Sequence, residues 1–194
     1  YFSATAVDDV DGDGREDLAG TGSCNSVPDF LPLVIYRHVG VGDALDVAQT
    51  IFADLGPVLE GADLIFVDVD GDGERDLVTP TDAGLYLVQA LGDGSFADPP
   101  QVLAHDFVGD YPRRLVALGP KGDPIFVLGD EPYDNPPAAA LLIPDEGLTT
   151  LTTELLEDYL DPDPITDFDG DGQPDLAVLH GSVPAQLGLW LSGG

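Results

Sequence analysis

Three short acidic stretches carry the residues that could do chemistry. They are Asp9-Val-Asp-Gly-Asp-Gly-Arg-Glu-Asp17, Asp68-Val-Asp-Gly-Asp-Gly-Glu-Arg-Asp76 and Asp167-Phe-Asp-Gly-Asp-Gly-Gln-Pro-Asp175. Each sets carboxylates at loop positions 1, 3, 5 and 9, glycines at 4 and 6, and a leucine directly after the ninth. Hard cations such as calcium take six to eight oxygen ligands, which a tight loop can offer from alternate side chains and one backbone carbonyl. Position 7 would give that carbonyl, so its side chain is free to vary between Arg15, Glu74 and Gln173. The glycines allow the chain to curl through backbone angles that other residues resist. Three calcium sites are therefore expected. Asp9, Asp11, Asp13, Arg15 and Asp17 form the first, Asp68, Asp70, Asp72, Glu74 and Asp76 the second, and Asp167, Asp169, Asp171, Gln173 and Asp175 the third.

The competing readings are a solvated acidic turn and a helix-flanked calcium loop. Four carboxylates within nine residues repel one another unless a cation neutralises them, and three near-identical copies argue against chance turns. The helix-flanked loop needs a bidentate Glu at position 12, where this chain has Gly20, Thr79 and Val178. The flanks are short and rich in strand formers.

Those loops need elements to hold them, and their spacing shows which. Asp9 to Asp68 spans 59 residues and Asp68 to Asp167 spans 99, about twice 50. A further repeat is expected near residue 117, and Ala117-Leu-Gly-Pro-Lys-Gly-Asp-Pro-Ile125 aligns there without a gap. Gly122 keeps the position-6 glycine, while Ala117, Gly119, Lys121 and Ile125 replace the four acids. Lys121, the chain's single lysine, stands at a former ligand position, either in place of the ion or simply solvated.

Each repeat reads as a series of short strands bounded by Gly, Pro, Asp and Asn. The first strands are expected at Ala4 to Val7, Leu64 to Val67 and Leu115 to Leu118. The second are at Asp17 to Ala19, Asp76 to Val78, Ile125 to Leu128 and Asp175 to Leu179. The third are at Leu33 to Tyr36, Leu85 to Val88, Ala139 to Ile143 and Leu187 to Leu191. The fourth are at Gln49 to Phe52, Gln101 to Ala104 and Leu148 to Thr152. The apolar spacing of Thr149 to Tyr159 also permits a helical turn. Four antiparallel strands per repeat of about 50 residues point to an all-β fold of the β-propeller type, with four blade-like repeats in one domain over residues 1–194. Three of these repeats carry calcium loops and one is degenerate.

The Asp-x-Asp-Gly-Asp-Gly-x-x-Asp-Leu loops, with the turn Leu91-Gly-Asp-Gly-Ser-Phe96, resemble the FG-GAP and VCBS repeats of integrin-α-like β-propellers. The resemblance covers essentially the whole chain as three good repeats and one degenerate one. It implies that each loop joins the two innermost strands of a blade and holds calcium on one face of the disc. Seven blades are common in that family, and this chain has length for four. The last repeat and the residues before Asp9 together fall about one strand and a turn short of a blade. The expectation is a closed four-bladed ring with one blade lacking its outer strand. The other readings are a segment of a longer array or assembly with further blades or a second chain. With no Met and a start at Tyr1, a mature or excised piece is expected.

Charge narrows the setting. Thirty-seven acids against six bases give −31, and three calcium ions would still leave −25. Nucleic acid and anionic membrane surfaces are thereby excluded as natural partners. No stretch approaches the roughly eighteen apolar residues of a membrane-spanning helix. Cys24 is alone, so no internal disulfide is available, and calcium would serve as the staple. Extracellular modules bind it with dissociation constants of about 10⁻⁴ to 10⁻³ M. At ten times such a constant, each site adds roughly 1.4 kcal/mol by mass action. An extracellular or cell-surface address is expected.

Catalysis finds little support. The acid pairs could suit a glycosidase, but they recur three times and are used as ligands. His38, His105 and His180 stand apart, Ser182 and Ser192 lie in no nucleophile frame, and Trp190 reads as core rather than sugar platform. No enzyme is expected. Three functions remain: a calcium-stabilised module contacting an extracellular protein, a lectin-like glycan binder, and a structural spacer. The loop aromatics Phe30, Tyr111, Tyr133 and Tyr159 do not recur in register, which weighs against the glycan reading. The insertions Gly20 to Pro32 and Gly129 to Pro137 are candidate contact surfaces.

Overall fold

The computed structural model describes residues 2–22, 31–38, 45–53, 63–81, 84–103, 112–118, 125–130, 139–145, 148, 151–156, 163–166, 175–180 and 186–190. These are all strand, turn and bend, with no helix among them. The strands form four antiparallel sheets, each built from consecutive segments of chain. The first holds β1 (Phe2–Asp8), β2 (Asp17–Gly22), β3 (Leu31–His38) and β4 (Leu45–Ala53) in that order. The second holds β5 (Ile65–Val67), β6 (Asp76–Thr81), β7 (Gly84–Val88) and β8 (Gln101–Leu103). The third holds β9 (Pro112–Leu118), β10 (Ile125–Asp130), β11 (Ala139–Pro144) and β12 (Leu151–Leu156). The fourth has three strands, β13 (Asp163–Thr166), β14 (Asp175–His180) and β15 (Gln186–Trp190). The loops starting at 9, 68 and 167 thus follow directly on the first strand of their sheets, and the degenerate one near 117 starts at the last residues of β9.

The registers superimpose the repeats. Leu18 pairs with Tyr36, Leu77 with Val88, Phe126 with Leu142 and Leu176 with Trp190. Each partner of the residue after loop position 9 is therefore equivalent, and every third strand can be compared position by position.

Adjacent sheets meet through their inner strands: β1 lies against β5, β5 and β6 against β9, and β9 against β13. Two cores fill the first two of these boundaries. Between the first and second sheets lie Ala6, Ala19, Leu33, Ile35, Ile51, Leu77, Val88 and Phe96. Between the second and third lie Val69, Val78, Leu85, Leu87, Leu103, Leu115 and Leu142. Alternation along a strand sends successive side chains to opposite faces, so neighbours Leu77 and Val78 on β6 serve different cores. Having both faces covered explains why β7 reads Gly-Leu-Tyr-Leu-Val with every position buried. A fully buried Leu or Ile of this kind contributes about 1.5–3 kcal/mol.

Two expectations need correction. The fourth strand of the third repeat is β12, Leu151–Leu156, rather than Leu148 to Thr152, and these residues are not helical. The Leu148 amide donates to the Asp145 carbonyl at 2.9 Å, which closes a turn there and delays the strand. Pairing with β11, from Ala139 opposite Leu156 to Pro144 opposite Leu151, overrides the helical spacing of the leucines. The second correction is an addition: β13 precedes the fourth loop, where no first strand was expected. Its Asp163 and Pro164 pair with Ala177 and Leu176.

Candidate metal centre

The first and second loops lie at the same place in their sheets and are folded alike by their own carboxylates. In the first, the Asp13 amide donates to Asp11 at 3.2 Å and the Arg15 amide to Asp13 at 2.9 Å. In the second, the Asp72 amide donates to Asp70 at 3.1 Å and the Glu74 amide to Asp72 at 2.8 Å. Short acidic side chains accept from the amide two residues on in this way. The position-1 carboxylate then gathers the loop: Gly14 donates to Asp9 at 2.8 Å, and Gly73 to Asp68 at 3.2 Å. Winding the chain around one carboxylate demands left-handed backbone at both glycines. Gly12 and Gly14 have φ of 73° and 86°, and Gly71 and Gly73 have 79° and 98°. A side chain at those angles would be strained.

Position 9 works differently. Asp17 and Asp76 are only 2% and 1% exposed, and each accepts two backbone amides. Val10 and His38 donate to Asp17 at 3.2 and 2.9 Å. Val69 and Ala90 donate to Asp76 at 3.0 and 2.8 Å. One carboxylate therefore fastens the loop to the chain at the end of the third strand (His38) or just beyond it (Ala90). Burial first, then the charges of Asp70 and Asp72, push the Asp76 pKa from 3.8 up to about 6, against the pull of the Ala90 and Val69 amides.

Three acids converge in each loop. Asp9, Asp11 and Asp17 each place a carboxylate oxygen within 4.8 Å of the other two, and Asp68, Asp70 and Asp72 do the same. Between them the two clusters use all four expected acidic positions, although neither uses all four alone. Asp13 stands outside the first cluster, exposed and 3.8 Å from the Arg15 guanidinium. Asp76 stands outside the second. An all-carboxylate oxygen set of this size fits a hard cation such as calcium. Asp167, Asp169, Asp171 and Gln173 lie outside the described residues, as do Lys121, Cys24, His105 and the four loop aromatics; Asp175 opens β14.

The surroundings of the loops include residues that the sequence did not single out. Arg37, near the end of β3, lies 3.9 Å from Asp11 and also donates to the Gly94 carbonyl. Gln89, the equivalent residue of the second sheet, donates to Asp70 at 3.3 Å. Both touch the position-3 carboxylate. The equivalence is hidden in the sequence because the first repeat is longer between its second and third strands. Gly94 belongs to the turn Leu91 to Phe96, whose Asp93 carboxyl sits below its ordinary value through hydrogen bonds from Ser95 and, more weakly, the charge of Arg37. This turn of the second sheet thus reaches the first loop.

Residues 9–79 match the family of the FG-GAP-like repeat. The match runs from the first acid of the first loop into β6 and takes in both described loops. Over that stretch the resemblance read from the loops is borne out, and it accords with a module of the β-propeller type. No curated protein matches the chain. No helix among the described residues is long and apolar enough to cross a membrane.

Proposed function

We propose that this chain is a calcium-binding β-propeller module of a secreted or cell-surface protein, which uses calcium to hold its loops and offers its surface to an extracellular protein partner. The observation that carries the reading is the recurrence of one geometry: two loops, in two sheets, each bring three carboxylates within 4.8 Å. Acids so close are mutually repulsive when charged, and a divalent cation converts that repulsion into attraction. The FG-GAP-like match over residues 9–79 supports the same choice of ion. In the two described loops the acids cluster in threes or accept backbone amides that close the loop, which supports a non-catalytic reading. Exposed apolar side chains support contact with a partner: Leu45 and Val47 on β4, and Val102 on β8, both outermost strands of their sheets.

The test is thermal unfolding of metal-free protein and of protein in millimolar calcium, with bound metal counted by native mass spectrometry. The expected result is a calcium-specific rise in Tm and three ions per chain. Equal Tm values with no retained ion would leave the loops as acidic turns.

A further inference from the structure

The two described loops differ in what faces their position-3 carboxylate. The registers of the first and second sheets make Arg37 equivalent to Gln89, and each reaches the corresponding acid, Asp11 or Asp70. In the second loop that contact is a neutral amide at 3.3 Å. In the first it is a full positive charge at 3.9 Å. A guanidinium stays charged at every ordinary pH, so it competes with any cation for the carboxylate beside it.

Arg37 is also incompletely held. Its Nη2 donates to the Gly94 carbonyl, while its Nε is buried without a hydrogen-bond partner. A buried donor left unpaired is unfavourable, so the guanidinium is poised between Asp11 and the turn rather than locked by a full set of bonds. The turn itself is close: a Cβ on Gly94 would stand 2.7 Å from the Asp11 Cβ and 2.9 Å from the Arg37 Cζ. One side chain therefore joins the first acidic loop to the second sheet.

We propose that Arg37 is a built-in competitor for calcium in the first loop. It makes that loop the weaker of the two described sites and couples its filling to the contact between the first and second sheets. The inference rests on the calcium reading above. As the ion occupies the first loop, the hold of Arg37 on Asp11 weakens, and the turn at Gly94 senses the change. The second loop, faced by the neutral Gln89, fills first.

Calcium titration followed through the backbone amide resonances of Gly14 and Gly73, both at loop position 6, resolves the two sites in the intact chain. Gly73 should reach its midpoint at lower calcium than Gly14, and the Gly94 amide should move together with Gly14. Arg37→Gln should lower the Gly14 midpoint by roughly threefold to tenfold, the range between a well-screened and a partly buried charge pair. Arg37→Lys should stay near wild type. Gln89→Arg should raise the Gly73 midpoint, which decides the matter even where Arg37→Gln fails to fold. A Gly14 midpoint at or below that of Gly73, or unmoved midpoints in Arg37→Gln or Gln89→Arg, overturns the proposal. Calcium that shifts neither Gly14 nor Gly73 removes the calcium reading itself, and this proposal with it.

Discussion

Gln49 and Phe96 exchange two hydrogen bonds across the boundary between the first and second sheets. The Gln49 amide nitrogen donates to the Phe96 carbonyl at 2.8 Å, and the Phe96 backbone amide donates back to the Gln49 side-chain oxygen at 2.8 Å. Gln49 lies opposite Ile35 on β3, and Gln101 lies opposite the equivalent Leu87 on β7. Gln101 in turn donates to the Leu148 carbonyl in the turn of the third sheet. The same outer-strand position therefore fastens each of two sheets to the outer turn of the next.

This predicts that Gln49→Ala is destabilising well beyond an ordinary surface change. It leaves the amide and carbonyl of the buried Phe96 without their partners, a cost of about 1–3 kcal/mol. Gln49→Glu keeps an acceptor for the amide but offers no donor to the carbonyl, and should fall between Ala and wild type. Denaturant unfolding measures both. A loss under about 0.5 kcal/mol for Gln49→Ala, the range of ordinary surface substitutions, would show that the pair contributes nothing to the joint.

Much of this architecture is legible in the residues, and the gaps have physical reasons. The loops could be placed because ligand chemistry fixes both residue type and spacing, as in Asp68, Asp70, Asp72 and Asp76. Second and third strands were legible from continuous apolar runs such as Leu85 to Val88, which both-faced burial requires. The start of β12 was not, because a local turn at Leu148 decides it. Arg37 and Gln89 were missed because their equivalence exists only through strand register, and unequal connections conceal it. Gln49-Thr-Ile51 and Gln101-Val-Leu103 did carry a signal, a glutamine two residues before a fully buried aliphatic side chain. Its meaning needs the neighbouring sheet, which one repeat does not display.

Gly94 is the position where substitution should injure a joint and a loop together. Its φ of 74° disfavours any side chain, and the space a Cβ needs is taken by Asp11 and Arg37. Gly94→Ala should cost more than about 1 kcal/mol, the usual penalty at a left-handed position. It should also weaken calcium at the first loop while leaving Gly73 unaffected. Gly12→Ala is the control: it has a similar φ of 73° with open space around it, so its loss should be strain alone. Equal losses at both positions would mean that the close approach of the turn has no energetic weight.

Positions 5 and 9 of the second loop should separate ligation from scaffolding. Asp72 is exposed and belongs to the acidic cluster. Asp76 is buried and occupied on both oxygens by backbone amides. Asp72→Asn should therefore lower Tm in calcium and leave the metal-free protein unchanged or slightly more stable, since it relieves repulsion. Asp76→Asn should lower Tm in both states, because its amide group presents a donor where a backbone donor already points. Differential scanning calorimetry of the two variants in both states checks this. Identical patterns for the two would refute the division of labour.

The raised pKa of Asp76 gives a pH dependence with a definite sign. Burial is the main cause, and Asp70 and Asp72 add to it. In the metal-free protein the folded state holds this proton more tightly than the unfolded chain does. Its contribution to stability is then complete below about pH 3.8 and is lost as pH rises through about 6. Calcium at the second loop offsets the charges of Asp70 and Asp72, which removes part of that loss. The Tm gap between calcium-loaded protein and protein freed of metal by dialysis should therefore widen from pH 5 to pH 7. Many other acids titrate lower, so Asp76→Asn isolates the effect: the metal-free variant should show a flatter Tm profile over this range. A metal-free wild type that gains stability from pH 5 to 7, or an Asp76→Asn profile as steep as wild type, would place the proton elsewhere.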